Sequence, residues 1–555
     1  MSRAEALLSS LAVFAVAVAT RIVAAMSIVF PKPEDTAYYV GVARNLVEGR
    51  GLVSDALWSF QTSPLRLPRE AFEVWLPLPT LVAAIPIWLV RGPGPIPLDI
   101  AYRAAQSTSI LFGALVVVLA WRLAADVAEE RHMPKGRART FAIGAGLVTA
   151  VYLPLLLHSA LPDSTMPFAV LALTAALLMS RILRDPRGAR ITDRRVIALG
   201  LVLGLAALTR HEAAWIALAW VILVLRLRVT WPERARLIGG VGVLGLLVFA
   251  PWAYRDLLVF GTPFPGQAVT NAFSIDGHDI FAWRDPPTLS RYLSVGPARL
   301  VEMRVDGTWH NLWNVLLSLG MPVSLIGLLA LPWQGRDRAL RPLLLISILT
   351  FVITSLVFPV STLWGTFLHA AGPAHVLLIV SALGLLDALI VWVGKRRGWE
   401  NPVAWLGPAL GVFGCALFSV ALLPVFGGGS TLTEKQYAAL GARLTAAGVP
   451  DASSPPIIHD FPIWLAETAR RQSVALPEES PADVIDLAKF FGSRWVLITA
   501  RDELWPGVLD SGAPGADCFQ RVELGTPADP GATAGLEGAR LYRITCLDAQ
   551  TARVP

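Results

Sequence analysis

The sequence has 555 residues, 54% of them hydrophobic and 16% charged, with a formal net charge of +6. Soluble domains carry about 25% charged residues, whereas several runs here stay nearly charge-free for about 20 residues, the length that crosses a bilayer. A soluble globular protein is excluded. The arginines cluster between apolar runs, as membrane topology requires, and no nucleic-acid motif accompanies them.

In chain order, the apolar segment 7–30 is too long and continuous for a cleaved signal peptide and reads as an uncleaved anchor. Further membrane helices are predicted near 101–125, 139–158, 165–183, 195–209, 212–228, 236–255, 311–333, 341–360, 366–394 and 402–427, eleven spans in all. Five basic clusters test this count: Arg131 to Arg139, Arg184 to Arg195, Arg226 to Arg236, Arg336 to Arg341, and Lys395 to Arg397. Each follows an even-numbered span, so the positive-inside rule makes the N-terminus cytoplasmic and the C-terminus extracytoplasmic.

The run Val74–Val90 would break that parity. Pro77, Pro79 and Pro86 interrupt its helical hydrogen bonding, so it reads as an amphipathic or re-entrant helix in the first outer loop, 31–100. The alternative is a true span paired with a second crossing. The fifth and sixth spans are short, which predicts that their junction, Leu208–Trp215, lies below the outer surface in a protein-lined cavity. A second long outer loop covers 256–310.

The predicted transmembrane domain is 1–427. From 428 to 555 helical and strand patterns alternate, predicting a small extracytoplasmic α/β domain. No glycine-rich phosphate loop follows any of its strands, so nucleotide binding has no support. Cys415 lies in an apolar run and reads as packing. Cys518 and Cys546 flank a predicted final strand pair. They suit a disulfide in an oxidising compartment, with two free thiols as the alternative.

Four groups of residues offer chemistry. Asp35 follows the first span and precedes Tyr38 and Tyr39 on a helical pattern. It suits an N-cap, or a general base for an acceptor hydroxyl or amine. Asp163, in the loop after His158, suits a cap for the fourth span, or acceptor positioning, or a divalent cation. Arg210, His211 and Glu212 sit at membrane depth, where ionisable groups face a cavity or one another. They read either as a structural Arg–Glu tie or as a cationic contact for a lipid phosphate. Arg255 lies at the outer end of the seventh span.

The stretch Asp35-x-x-Tyr38-Tyr39, Ala43-Arg44-Asn45-Leu46 and Gly49-x-Gly51 resembles the first-loop motif of polyprenyl-phosphate-dependent glycosyltransferases with the C-type (GT-C) fold, among them bacterial aminoarabinose and mannosyl transferases of the protein O-mannosyltransferase superfamily. "LVLGLAALTRHEAAW" is similar to the glycine-bearing helix of that family, which ends in Thr-Arg and an acidic residue. "PWAYRDLLVFGTPFP" is similar to its Pro-Trp…Arg…Phe-Gly-x-Pro-x-Pro segment. The resemblance implies a polytopic helical domain with an outer α/β tail in a bacterial-type plasma membrane. It also implies a polyprenyl-phosphate-linked sugar donor, membrane lipid as a partner, and transfer with inversion to a lipid, glycan or protein. Asp35 maps onto the family's catalytic carboxylate and Asp163 onto its second-loop acid. Arg210, His211, Glu212, Arg255, Tyr38 and Tyr39 become candidate donor-phosphate or substrate contacts. The paired acidic motif of some relatives is replaced here by Glu34-Asp35-Thr36, and the Trp-Trp-Asp signature of oligosaccharide-transferring relatives is absent. A lipid-linked sugar transporter or a non-catalytic membrane scaffold remains the alternative class.

Overall fold

The computed structural model describes residues 3–186, 193–265, 270–334, 337–399, 403–450, 455–499, 505, 507–524 and 538–547. Arg187, Arg190 and Arg336 of the basic clusters lie outside these ranges. The chain builds a multi-pass helical membrane bundle with a mixed sheet at one end.

Among the described residues, six helices are long and apolar enough to cross a membrane, or up to eight if each of two bent pairs counts as one span. The eleven expected stretches correspond to these six helices, the two bent pairs and three shorter helices. The shorter helices are α8 (Arg194–Ala207), α9 (Ala213–Leu225) and Arg341–Leu356. The stretch expected at 311–333 turns by 118° between Gly296–Gly320 and Val323–Trp333. A moving average of hydropathy sees apolar residues but not a reversal between them.

The breaks matter because they carry polar groups inward. Helices α5 (Lys135–Val151) and α6 (Leu153–Ser159) meet at 59°. Pro154 has no N–H to give the carbonyl of Ala150, and a bare carbonyl in hydrocarbon costs several kcal/mol. Arg21 and Thr20 of α1 (Arg3–Ser27) donate to that carbonyl instead, at 3.1 and 2.9 Å. Beyond the kink, His158 sits in the last turn of α6. A second break separates α8 from α9, and the Leu78 N–H at the start of α3 (Leu78–Val90) closes it by donating to the Leu208 carbonyl at 2.9 Å. Helix α3 has only 13 residues, too few to span; Ile85, Trp88 and Leu89 are exposed on one side while Ala83, Ala84 and Ile87 pack inward. A third break comes at Gly365, whose φ of +106° suits glycine, before the one-turn helix Thr366–Ala370.

Helix α2 (Glu34–Val47) runs between the bundle and the sheet. Strands β1 (Val53–Ser54) and β3 (Arg69–Glu70) of the first loop pair with each other, and the main sheet has six strands in the order β2-β5-β4-β6-β8-β7. Its members are β2 (Ala56–Leu57), β4 (Ile457–His459), β5 (Ser473–Ala475), β6 (Trp495–Ile498), β7 (Phe519–Val522) and β8 (Arg540–Ile544). The first four are parallel and the last two antiparallel. Edge strand β2 comes from the first loop and registers Ala56 with Ser473. The expected domain boundary at 427 falls inside a single helix, Leu406–Ala446, which runs from the bundle into the α/β layer. Cys518 and Cys546 are joined as a disulfide, Cα atoms 5.3 Å apart, across the β7–β8 edge. Cys415 is a buried free thiol.

At the far end of the bundle, Arg137 pairs with Asp387 at 2.7 Å, and Arg131 pairs with Asp337. Both cations belong to the first basic cluster.

Candidate active site

The α8–α9 break, the break at Gly365 and α2 meet at one cavity of about 830 Å³. Asp35, Arg210, His211, Glu212 and His369 all line it. Trp58, Trp75, Trp215, Trp364 and Phe358 supply much of its apolar wall, and Tyr437, Phe461, Trp464 and Thr499 close it from the α/β side.

Asp35 stands in the first turn of α2, not at its cap. Pro33 is the capping residue, and the Asp35 Oδ1 accepts the Thr36 N–H at 2.9 Å. Its Oδ2 lies 3.1 Å from Nε2 of His369. Burial raises the Asp35 carboxyl to about 6, against the pull of Arg210. Asp163 sits behind His369 and outside the cavity lining, with its Oδ2 3.8 Å from the His369 Nδ1. Its Oδ1 accepts the Thr165 N–H at 2.7 Å, beside the start of α7 (Thr165–Arg184), whose N-cap position is Ser164. Burial, then the neighbouring Asp35, raises the Asp163 carboxyl above its ordinary range.

Arg210 meets Glu212 twice, Nε to Oε2 at 3.1 Å and Nη2 to Oε1 at 2.8 Å. It also donates to Ser164 Oγ at 2.7 Å and to the Thr366 carbonyl at 3.5 Å. Glu212 thus fixes the guanidinium plane, and a guanidinium carries five N–H groups, so one is left over for a ligand. His211 lines the wall with its Nε2 3.4 Å from the Val74 carbonyl.

The other candidates stand apart. Tyr38 accepts the Phe72 N–H at 2.7 Å and packs on Trp75 at 4.3 Å. Phe72 has a φ of +77°, an unusual conformation for a bulky residue, and Tyr38 holds it there. Tyr39 is buried against Ser164 and Arg210. Arg255 does not line the cavity. It donates to the Ala71 carbonyl at 2.8 Å and to Asp256 at 2.9 Å, clamping the first loop to the end of α10 (Trp231–Phe260). Glu34 accepts the Ile463 N–H at 3.0 Å and so ties α2 to the α/β layer.

His369 was not singled out in the sequence. It lies inside the apolar run 366–394, and the signals that mark it are an ionisable residue at membrane depth between Gly365 and Gly372-Pro373. Among the described residues, His158, Asp163 and His369 form one cluster whose donor atoms lie within 4.8 Å of one another; Asp276, His278 and Glu478 form another at the cavity rim. In the rim cluster the His278 Nδ1 is 2.8 Å from Glu478 and 3.2 Å from Asp276, which links the second long loop to the α/β layer.

Neither a protein-family model nor a curated protein matches the sequence. Among solved structures, the chain is similar to ArnT from Cupriavidus metallidurans bound to undecaprenyl phosphate, at 14% identity over 96% of this chain and 97% of that one, with a TM-score of 0.56. The apo state of the same protein aligns at 14% identity over 97% and 98%, with a TM-score of 0.51. An archaeal oligosaccharyltransferase, AglB from Archaeoglobus fulgidus in complex with an inhibitory peptide and a dolichol-phosphate, aligns at 12% identity over 89% of this chain and 69% of that one. Its TM-score is 0.48, too low to carry an argument. The full-length match to ArnT, together with the bundle, the first-loop helix and the terminal sheet, gives this chain the GT-C membrane fold.

Proposed function

We propose that this protein is a glycosyltransferase that moves a sugar from a polyprenyl-phosphate-linked donor to an acceptor on the outer face of the membrane, with Asp35 as general base. The observation that carries the reading is the cavity itself. It holds a mostly buried carboxylate and a Glu-oriented guanidinium, Asp35 and Arg210, within walls rich in tryptophan. The undecaprenyl phosphate bound to ArnT supports a lipid phosphate as the donor's leaving half.

In this reading the Asp35 carboxylate takes the proton of the acceptor O–H or N–H. The freed electron pair forms the new bond to the anomeric carbon, and the bond from that carbon to the phosphate oxygen breaks. The leaving electron pair stays on the phosphate, whose charge Arg210 meets. A single displacement inverts the anomeric centre. Glu212 keeps Arg210 aimed, and Asp163 acts through His369, not on substrate. The five basic clusters then lie on the cytoplasmic side, and the sheet domain outside.

The test is transfer in detergent. Protein solubilised without a sealed membrane should move radiolabelled sugar from a polyprenyl-phosphate donor to an acceptor in an envelope-lipid and glycan extract. A protein that bound the donor but transferred nothing under these conditions, and moved it only across sealed vesicles, would be the transporter instead.

A further inference from the structure

We propose that the α/β wall of the cavity is a subsite for one pyranose ring, recognised by hydroxyl oxygens held as hydrogen-bond acceptors beside a stacked aromatic pair. Thr433 and Tyr437 stand one turn apart on the helix Leu406–Ala446. Phe461 and Trp464 lie at the start of the helix Pro462–Ala469, and Thr499 follows β6 directly. All five line the cavity.

Each of the three hydroxyls gives its proton to the protein. The Thr433 Oγ1 donates to the Gly429 carbonyl at 3.0 Å. The Thr499 Oγ1 donates to the Asp460 Oδ2 at 2.8 Å, an oxygen that also takes the Thr499 N–H at 3.0 Å. A carbonyl or an ionised carboxylate only accepts, so both directions are fixed. Tyr437 is fixed one step further back. The His459 Nδ1 lies 2.9 Å from the Leu497 carbonyl and so carries the ring proton. In the neutral ring Nε2 is then a bare lone pair, and the Tyr437 hydroxyl 3.4 Å away donates to it. Toward the cavity these oxygens offer lone pairs, not protons, and their complement is a ligand with several O–H groups.

The apolar part of the wall fits the same ligand. Phe461 and Trp464 stack at 4.5 Å and 18°, and the Trp464 Nε1–H donates to the Pro31 carbonyl at 3.0 Å, which locks the indole in place. A pyranose has an edge of hydroxyls and a face of C–H groups that packs on an aromatic ring. An alkyl chain in the same place would strip water from the three oxygens and return nothing. At the edge, the Lys32 Nζ stands 3.5 Å from the Thr433 Oγ1 and 6.0 Å from the Trp464 ring centre, a donor for the sugar's own oxygens. Arg210 is on the opposite, bundle side, tied to Ser164 and Thr366. The ring chemistry is common to a glycan acceptor and to the sugar of the donor. Assigning it to either substrate rests on the transfer reading above, whereas the binding itself rests on this wall.

The experiment is saturation-transfer NMR on the full-length chain in a sugar-free detergent, with methyl glucoside, methyl mannoside and methyl galactoside as probes. At least one should bind saturably. Thr433→Val and Thr499→Val keep the shape and lose the lone pairs; each should weaken binding about 3–10-fold, the worth of one hydrogen bond. Thr433→Ser and Thr499→Ser should bind as the wild type does, which separates a lost contact from a misfolded wall. Phe461→Ala should lose binding and Phe461→Tyr keep it. Fluorine in place of a recognised hydroxyl removes only the proton, so the matching deoxyfluoro probe should bind as poorly as the valine variants do. No saturable binding of any probe, or binding unchanged by the valine variants and Phe461→Ala, would overturn the subsite. In the transfer assay, a higher KM for the acceptor alone marks an acceptor ring, and a higher KM for the donor alone a donor ring. Glycoside binding without transfer would sink the transferase reading and spare the subsite. Transfer by a protein that binds no glycoside and is indifferent to these substitutions would do the opposite.

Discussion

Asp35 holds its place through two contacts made at once, one to the backbone of its own helix and one to His369. Neither contact uses up a carboxylate, which can accept about four hydrogen bonds. Its raised proton affinity has a consequence for rate. A general base works only when ionised, and burial lifts this carboxyl to about 6. Transfer should therefore fall about tenfold per pH unit below that value and level off above it. A pH profile of kcat/KM would show an acidic limb near 6; a limb at the ordinary aspartate value would mean the site is wetter than its geometry indicates. Asp35 and Asp163 were legible as outer-loop carboxylates beside predicted spans, and Arg210 because charge at membrane depth is rare and costly. Sequence reasoning passed over His369 because two histidines in 29 mostly apolar positions barely change a hydropathy average.

At the scale of elements, α2 does more than present a carboxylate. Its other side is bolted to the α/β layer by Arg44 and Glu467, paired at 2.5 Å with side chains 3% and 2% exposed. Gly41 leaves room for that carboxylate: a Cβ there would collide with Glu467. Replacing Arg44 with Leu strands a buried charge, a change that costs about 3–5 kcal/mol. The Arg44→Leu variant should melt clearly earlier in detergent, and adding Glu467→Leu should recover much of the loss. Equal melting of the single variant and the wild type would show that the pair is not buried in solution. The strands β4 to β8 were legible because each is a run of β-formers between turn signals. Strand β2 was not, because two residues carry no periodicity and its pairing with β5 is made 417 positions away, from Ala56 to Ser473. The unbroken helix Leu406–Ala446 was also missed, since polarity changes at 428 while the backbone does not.

For the whole molecule, hydropathy reported composition well and path poorly. The bundle and its terminal layer were readable from apolar runs and one change in polarity. The kinks depend on single residues, Pro154 and Gly365 among them, and on distant partners such as Arg21 that make them tolerable. Orientation is the global claim that follows. A membrane-impermeant thiol reagent applied to intact cells should label Lys489→Cys, exposed on the α/β layer, and leave Arg396→Cys unlabelled until the membrane is opened. The reverse pattern would put the cavity on the wrong side of the membrane for transfer at the outer face.

The most direct test of the account is Asp35→Asn, assayed for sugar transfer from a polyprenyl-phosphate donor and for melting on the same preparation. Asparagine keeps the shape and can still accept from Thr36 and His369, but it cannot take a proton. Transfer should drop about 10²–10⁴-fold, the usual worth of a general base, with melting unchanged. Wild-type transfer by a stable Asp35→Asn protein would contradict the account.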